Sequence, residues 1–188
     1  MRSSIESFFR DTILVHESKK HSLDPRDTGN FLDGRLVGSK YGVTGAALAA
    51  HRGVPRSSIT MPVMAKLTEA EAIQLGLKGY YRVNGLDKLP WDEVMASVVD
   101  LGFNAGPKRA VKELQEMLGV RPDGDAGLVT KTAYEQWRSK LTPAEAMGAW
   151  TAARVRFYKS LNRPEYIKGW TNRANSFLPG GAWWKANV

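Results

Sequence analysis

Residues 90–119, PWDEVMASVVDLGFNAGPKRAVKELQEMLG, decide the fold class. Pro90 stands where a first helical residue belongs, and Trp91, Val94, Met95, Val98 and Leu101 follow at helical spacing. Pro107 repeats the device ahead of Ala110, Val111, Leu114 and Leu118, and Gly119 supplies the C-terminal stop. Proline is tolerated at that first position because the N–H it lacks would have no intrahelical partner anyway.

The same punctuation recurs on both sides. Ser3 with Glu6 forms a capping box ahead of Ile5, Phe8, Phe9, Thr12 and Ile13, and Thr68 with Glu71 forms another ahead of Ala72, Ile73 and Leu75. Thr142, Pro143 and Glu145 combine both devices before Met147, Trp150, Phe157 and Tyr158. A last helix is expected from Glu165 to Phe177, broken by Pro179-Gly180-Gly181. Strand signals are confined to Arg35–Val43, after the turn-forming Asp33-Gly34. The spacing therefore predicts a mainly α fold of about eight helices, with at most a small β-hairpin near the long polar stretch from Ser18 to Lys40.

Composition narrows the function. At 188 residues, 43% hydrophobic and 24% charged, the chain can bury a core and is not of the disordered class. The absence of cysteine removes disulfides, thiolate metal sites and cysteine nucleophiles. His16, His21 and His51 lack the spacing of a zinc site, so neither a metal nor another cofactor is expected. The first ten residues carry no apolar core followed by a cleavage site, and the expectation is synthesis in a cytoplasm without an export signal. Net charge is +8, unevenly placed: residues 1–130 hold 17 Lys/Arg against 16 Asp/Glu, residues 131–188 hold 10 against 3. Arg154, Arg156, Lys159, Arg163, Lys168, Arg173 and Lys185 are read as a positive face for a polyanionic surface. No nucleic-acid-binding motif accompanies them.

One carboxylate breaks the helical pattern. Glu17 lies four residues after Ile13 and eight after Phe9, continuing the apolar face at a helix C-terminus. Burial and the helix dipole would both raise its pKa, as a general acid requires, although a solvated glutamate at a frayed end fits the same spacing. Asp24 and Asp27 follow within ten residues. A protonated carboxyl facing a second carboxylate is the arrangement of glycoside hydrolysis, and each aspartate alone also reads as a turn former. Thr44, after Tyr41-Gly42-Val43, can hold a water or cap the helix through Ala46 to Leu48. Asn104 is a candidate for an N-acetyl group or a turn residue. Trp91, Trp137, Trp150 and Trp170 read as packing; Trp183 and Trp184 either stack on sugar or fold back on the core.

The run from Ile13 to Thr44, with its Glu, Asp-Pro-x-Asp, Gly and Tyr-Gly-Val-Thr, resembles the catalytic segment of glycoside hydrolase family 108, phage and bacterial N-acetylmuramidases of lysozyme-like helical fold. The likeness continues through residues 64–72, Leu89-Pro90 and residues 99–106. Residues 109–133, with Leu114-Gln115-x-x-Leu118-Gly119 and Asp123-Gly124-Asp125-Ala126-Gly127, are similar to the peptidoglycan-binding half found behind that segment. The resemblance implies a catalytic segment at 1–105 and a peptidoglycan-binding-like segment at 106–188, packed into one compact unit. The leading reading is a phage endolysin, expected to be a monomer and to act on the wall after holin release or virion delivery. The bond cleaved would be the β-1,4 link between N-acetylmuramic acid and N-acetylglucosamine, with Glu17 as acid, Asp27 as second carboxylate and Thr44 completing the catalytic set. Beside that carry-over, Asp24, Tyr41 and Asn104 are read from their own positions as substrate-binding candidates. Ser18-Lys19 replace the family's Gly-Gly, and Asn30–Lys40 replace a short link, which leaves Asp24, Asp33 or Tyr41 as alternatives for the partner roles. A lytic transglycosylase and a non-catalytic wall-binding virion protein are the competing readings.

Overall fold

The computed structural model describes residues 4–14 and 20–188, which form two compact units: Glu6–Lys78, and Gly79–Val188 together with Ile5. Both are built mainly from helices, as the capping signals predict.

Helix α1 (Ile5–Phe8), whose residues from Glu6 onward open the smaller unit, runs straight into a π-helical turn at Phe9–Ile13. That wider turn shifts the helical phase, so the adjacent Phe8 and Phe9 are both buried, meeting edge to face at 5.9 Å. The 3.6-residue periodicity that places Glu17 on the apolar face therefore does not run evenly through these residues. Ser3 and Glu17 themselves lie outside the described residues.

In place of one hairpin arm at Arg35–Val43, two miniature hairpins form: β1 (Phe31–Leu32) with β2 (Arg35–Leu36), and β3 (Ser39–Lys40) with β4 (Val43–Thr44), both antiparallel. Each closes on a two-residue turn with positive φ at both positions, 50° and 77° at Asp33-Gly34 and 54° and 72° at Tyr41-Gly42. This mirror-image turn matches the right-handed strand twist, which explains a glycine second in each pair. Helices α2 (Gly45–Arg52), α3 (Met61–Ala65) and α4 (Glu69–Gly76) complete the unit. Thr68 caps α4, but Glu71 does not return the bond: its carboxylate takes Arg52 at 2.6 and 2.8 Å instead. A Cβ on Gly76 would come within 2.6 Å of the Phe9 ring, so α4 needs glycine where it crosses that aromatic.

The larger unit is built around α5 (Glu93–Ala105), in which every residue from Glu93 to Gly102 is buried. Helices α6 (Pro107–Leu118), α7 (Leu128–Arg138), α8 (Pro143–Ser160), α9 (Pro164–Asn175) and α10 (Ala182–Asn187) follow. Pro107 is the first residue of α6, Gly119 ends it at φ 71°, and Thr142 with Glu145 makes a full capping box. Pro90 is not the start of α5. Asp92 takes that role, accepting from the Met95 N–H at 2.9 Å, with its other contacts coming from the Tyr134 hydroxyl and Arg138. A side-chain cap braced by two tertiary partners outcompetes an isolated proline.

The buried charge of this unit corrects the expected basic face. Arg154 is wholly buried, donating to Asp100 at 2.5 Å, to Ser97 and to the Tyr158 hydroxyl. Arg173 forks onto the same carboxylate at 2.7 Å. These two arginines join α5, α8 and α9 rather than presenting charge, because a guanidinium's five donors can satisfy a buried carboxylate and its neighbours. Arg163 is exposed but pairs with Glu165, while Arg156, Lys159, Lys168 and Lys185 remain on the surface.

Candidate active site

In the smaller unit, Asp27, Tyr41 and Thr44 line one cavity of about 330 Å³, with Ser22, Ser39, Lys40 and Gly42. Local chemistry sets each position. Asp27 caps the short 3-10 turn Thr28–Asn30, its Oδ1 accepting from Gly29 N at 2.8 Å. Its Oδ2 meets no donor among the described residues. Asn30 is fully buried beneath the turn; its Nδ2 donates to the Asp24 carbonyl at 2.9 Å, and its carbonyl accepts from the N–H groups of Val37 and Gly38. Ser22 and Ser39 exchange both backbone hydrogen bonds, which ties the residues before the turn to the second hairpin.

Thr44 does both things its sequence context allows. Its Oγ1 caps α2, accepting from Ala47 N at 3.3 Å, and the half-buried side chain still borders the cavity. Gly29 lies between the two candidate groups: a Cβ there would sit 3.1 Å from Asp27 Oδ1 and 3.5 Å from the Thr44 methyl. Tyr41 enters through the positive-φ turn, with the Lys40 ammonium 5.3 Å from its ring centre while it donates to the Ala65 carbonyl at 2.8 Å.

The competing carboxylates are otherwise engaged. Asp24 accepts three side-chain contacts from Arg26, the shortest 2.7 Å, and these hold its carboxyl below the ordinary carboxylate range. Asp33 forks onto Arg56 at 2.7 and 2.9 Å, and that hydrogen-bonded pair lowers it likewise. Neither borders the cavity with Asp27. His21 donates from Nε2 to the Val37 carbonyl at 2.8 Å, so it braces the loop. Among the described residues no group of three or more His, Cys, Asp or Glu side chains is arranged to hold a metal ion.

Asn104 lies in the other unit, at the end of α5, with its Nδ2 donating to the Asp100 carbonyl at 2.9 Å. It borders a cavity of about 510 Å³ with Arg109, Tyr158, Leu161 and Trp170. Trp150 is buried, and Trp183 folds back on Phe177 with ring centres 4.5 Å apart, so neither is a free sugar platform. Lys40, Ser22 and Ser39 were not singled out by the sequence. Only Lys40 carried a signal, its place beside Tyr41-Gly42-Val43-Thr44.

What this cavity offers chemically is an acceptor, hydroxyls and an ammonium around a space open to sugar and water. Comparison with known proteins gives this a class. The glycosyl hydrolase 108 profile matches residues 10–106, more than half the chain, and the family described as Predicted Peptidoglycan domain matches residues 109–175. The chain thus belongs to glycosyl hydrolase family 108, and is a glycoside hydrolase acting on peptidoglycan. Among solved structures it is similar to SagA of Brucella abortus, at 26% identity and a TM-score of 0.65, over 92% of this chain and 90% of that one. No curated protein matches the chain in sequence.

Proposed function

We propose that the chain is an N-acetylmuramidase, hydrolysing the β-1,4 bond between N-acetylmuramic acid and N-acetylglucosamine. The observation that carries this reading is the convergence of Asp27 and Thr44 on one cavity, in the segment that matches the hydrolase family. Asp27 has one oxygen fixed by Gly29 and one without a described donor, which suits a carboxylate that stabilises an oxocarbenium-like centre or orients water. The Thr44 hydroxyl can hold that water from the other side. Glu17, outside the described residues, takes the role of general acid toward the leaving oxygen. Tyr41 and Lys40 bind sugar hydroxyls, and Asn104 is assigned to an N-acetyl group from its Gly-flanked place at the end of α5.

Product analysis of digested peptidoglycan tests the reading. New reducing ends on N-acetylmuramic acid are expected; anhydro ends would mean a lytic transglycosylase, and no new ends a wall-binding protein. Glu17→Gln should abolish the reaction, because general acid catalysis contributes about 10²–10⁴-fold. In a phage setting the enzyme is made in the host cytoplasm and reaches the wall through a holin or a virion. The exposed Lys159, Lys168 and Lys185 then add attraction to anionic wall polymer, which should fade as salt rises.

A further inference from the structure

Two cavities adjoin in the larger unit, sharing Arg109, Phe157 and Ser160 in their walls. The first, about 250 Å³, is ringed by charges of both signs: Arg109 and Glu113 and Glu116 of α6, and Arg156 of α8. The second, about 510 Å³, is lined by Asn104, Tyr158, Leu161 and Trp170. Together they fall in the size range of small-molecule sites.

The first cavity's charges are arranged rather than scattered. Glu113 is only 6% exposed yet borders the cavity, and among the described residues Arg109 alone hydrogen-bonds its side chain, through Oε1. Its second oxygen meets no donor among the described residues, though a buried carboxylate has room for several. Burial pushes this carboxyl above its ordinary range, against the pull of Arg109 and Arg156 and with a further push from Glu116. Arg109 is in turn fixed over the Phe157 ring at 4.6 Å. Arg156 and Glu116 face the same cavity and form no ion pair among the described residues. Two anionic and two cationic groups around so small a space complement a ligand bearing one ammonium and one carboxylate close together. An uncharged N-acetyl sugar would meet these groups as hydrogen-bond partners only and leave their charges uncompensated, and a polyanion would meet Glu113 and Glu116.

We infer that this double cavity binds the stem peptide of peptidoglycan, taking the zwitterionic end of a diamino acid residue between Glu113 and Arg156, with the neighbouring cavity receiving the uncharged part of the peptide. The inference rests on the peptidoglycan-hydrolase reading, and adds a peptide-reading site separate from the cavity at Asp27. All four charged residues fall within the segment that matches the peptidoglycan-domain profile.

Calorimetric titration of the full chain tests it, using a synthetic stem tripeptide that ends in a diamino acid with free ammonium and carboxylate. The same peptide acetylated on that amine, or amidated on that carboxylate, should bind at least about tenfold more weakly. Glu113→Gln should weaken the free peptide and leave the acetylated one unchanged; Arg156→Ala should do the same for the amidated form. Equal affinity for free and blocked peptides overturns the inference, and so does a folded chain that binds none of them. Release of reducing ends from wall glycan is measured on the same preparation. Release without peptide binding would sink this inference and leave the hydrolase reading standing, whereas discriminating binding without release would do the reverse.

Discussion

Thr44 has two jobs that substitution can separate. Its Oγ1 accepts the Ala47 N–H at 3.3 Å, the cap of α2, and its side chain borders the cavity with Asp27. Valine keeps the shape and removes the hydroxyl. Loss of an N-cap costs about 1 kcal/mol, and the long hydrogen bond places this one at the lower end of the usual range. At about 0.5 kcal/mol, a chain of this size should melt roughly 1–2 °C lower. Loss of a hydroxyl that holds the attacking water should lower turnover by about 10²–10³-fold, the range seen when one positioned donor is removed from an active site. Asparagine separates the two roles. It caps as well as threonine, so Thr44→Asn should melt with wild type and above Thr44→Val, yet its amide cannot stand where the hydroxyl stood. Thr44→Ser should keep both properties. Wall clearing is followed by turbidity and stability by thermal unfolding. A Thr44→Asn chain that clears walls at the wild-type rate would reduce Thr44 to a cap and refute the catalytic role.

Three further outcomes are expected. Asp27→Asn should lose most wall-clearing activity while Asp24→Asn keeps most of it, because Arg26 already engages the Asp24 carboxylate; the reverse order in a turbidity assay would reassign the partner. Asp100→Asn should cost about 3–5 kcal/mol in urea unfolding, since it strands the buried Arg154 guanidinium, and a loss below about 1 kcal/mol would contradict the buried pairing. Glu113 titrates above its unfolded value, so the folded state holds the proton longer and stability falls as pH rises through that window. Glu113→Gln, free of that loss, should stand better relative to wild type at pH 7 than at pH 4 in thermal melts, and an equal gap at both would count against it.

What the sequence revealed was local. Pro107, Gly119 and the Thr142-Glu145 box act within one helical turn, so their meaning survives without the rest of the chain. Misreadings came where a distant partner decides. Asp92 is a cap held by Tyr134 and Arg138, more than forty residues away, and that displaced Pro90. Helix α7 escaped notice because its start, Gly127, has no side-chain cap, and Leu128 and Val129 are 78% and 71% exposed, against the pattern of an apolar face. Arg154 looks like any surface arginine until Asp100 is brought to it. At the site, residue type alone leaves Asp24, Asp27 and Asp33 open, and only the family resemblance favours Asp27. Arg26 and Arg56 distinguish them, and only the latter pairing is long-range.

The loop Asp123–Gly127 has the look of an ion-binding turn, yet a side chain already fills it. The Gln115 amide nitrogen lies 2.8 Å from Asp123 Oδ1, 3.0 Å from the Asp125 carbonyl and 3.0 Å from Thr130 Oγ1, while its oxygen accepts from Gly124 N. A neutral, covalently tethered donor thus does the work that a dissolved cation would otherwise do. The loop that joins α6 to α7 is therefore held by a side chain of the chain itself. Chelators should leave the melting temperature unchanged. Gln115→Glu would crowd a carboxylate against Asp123 and convert a self-contained turn into one whose order depends on added calcium.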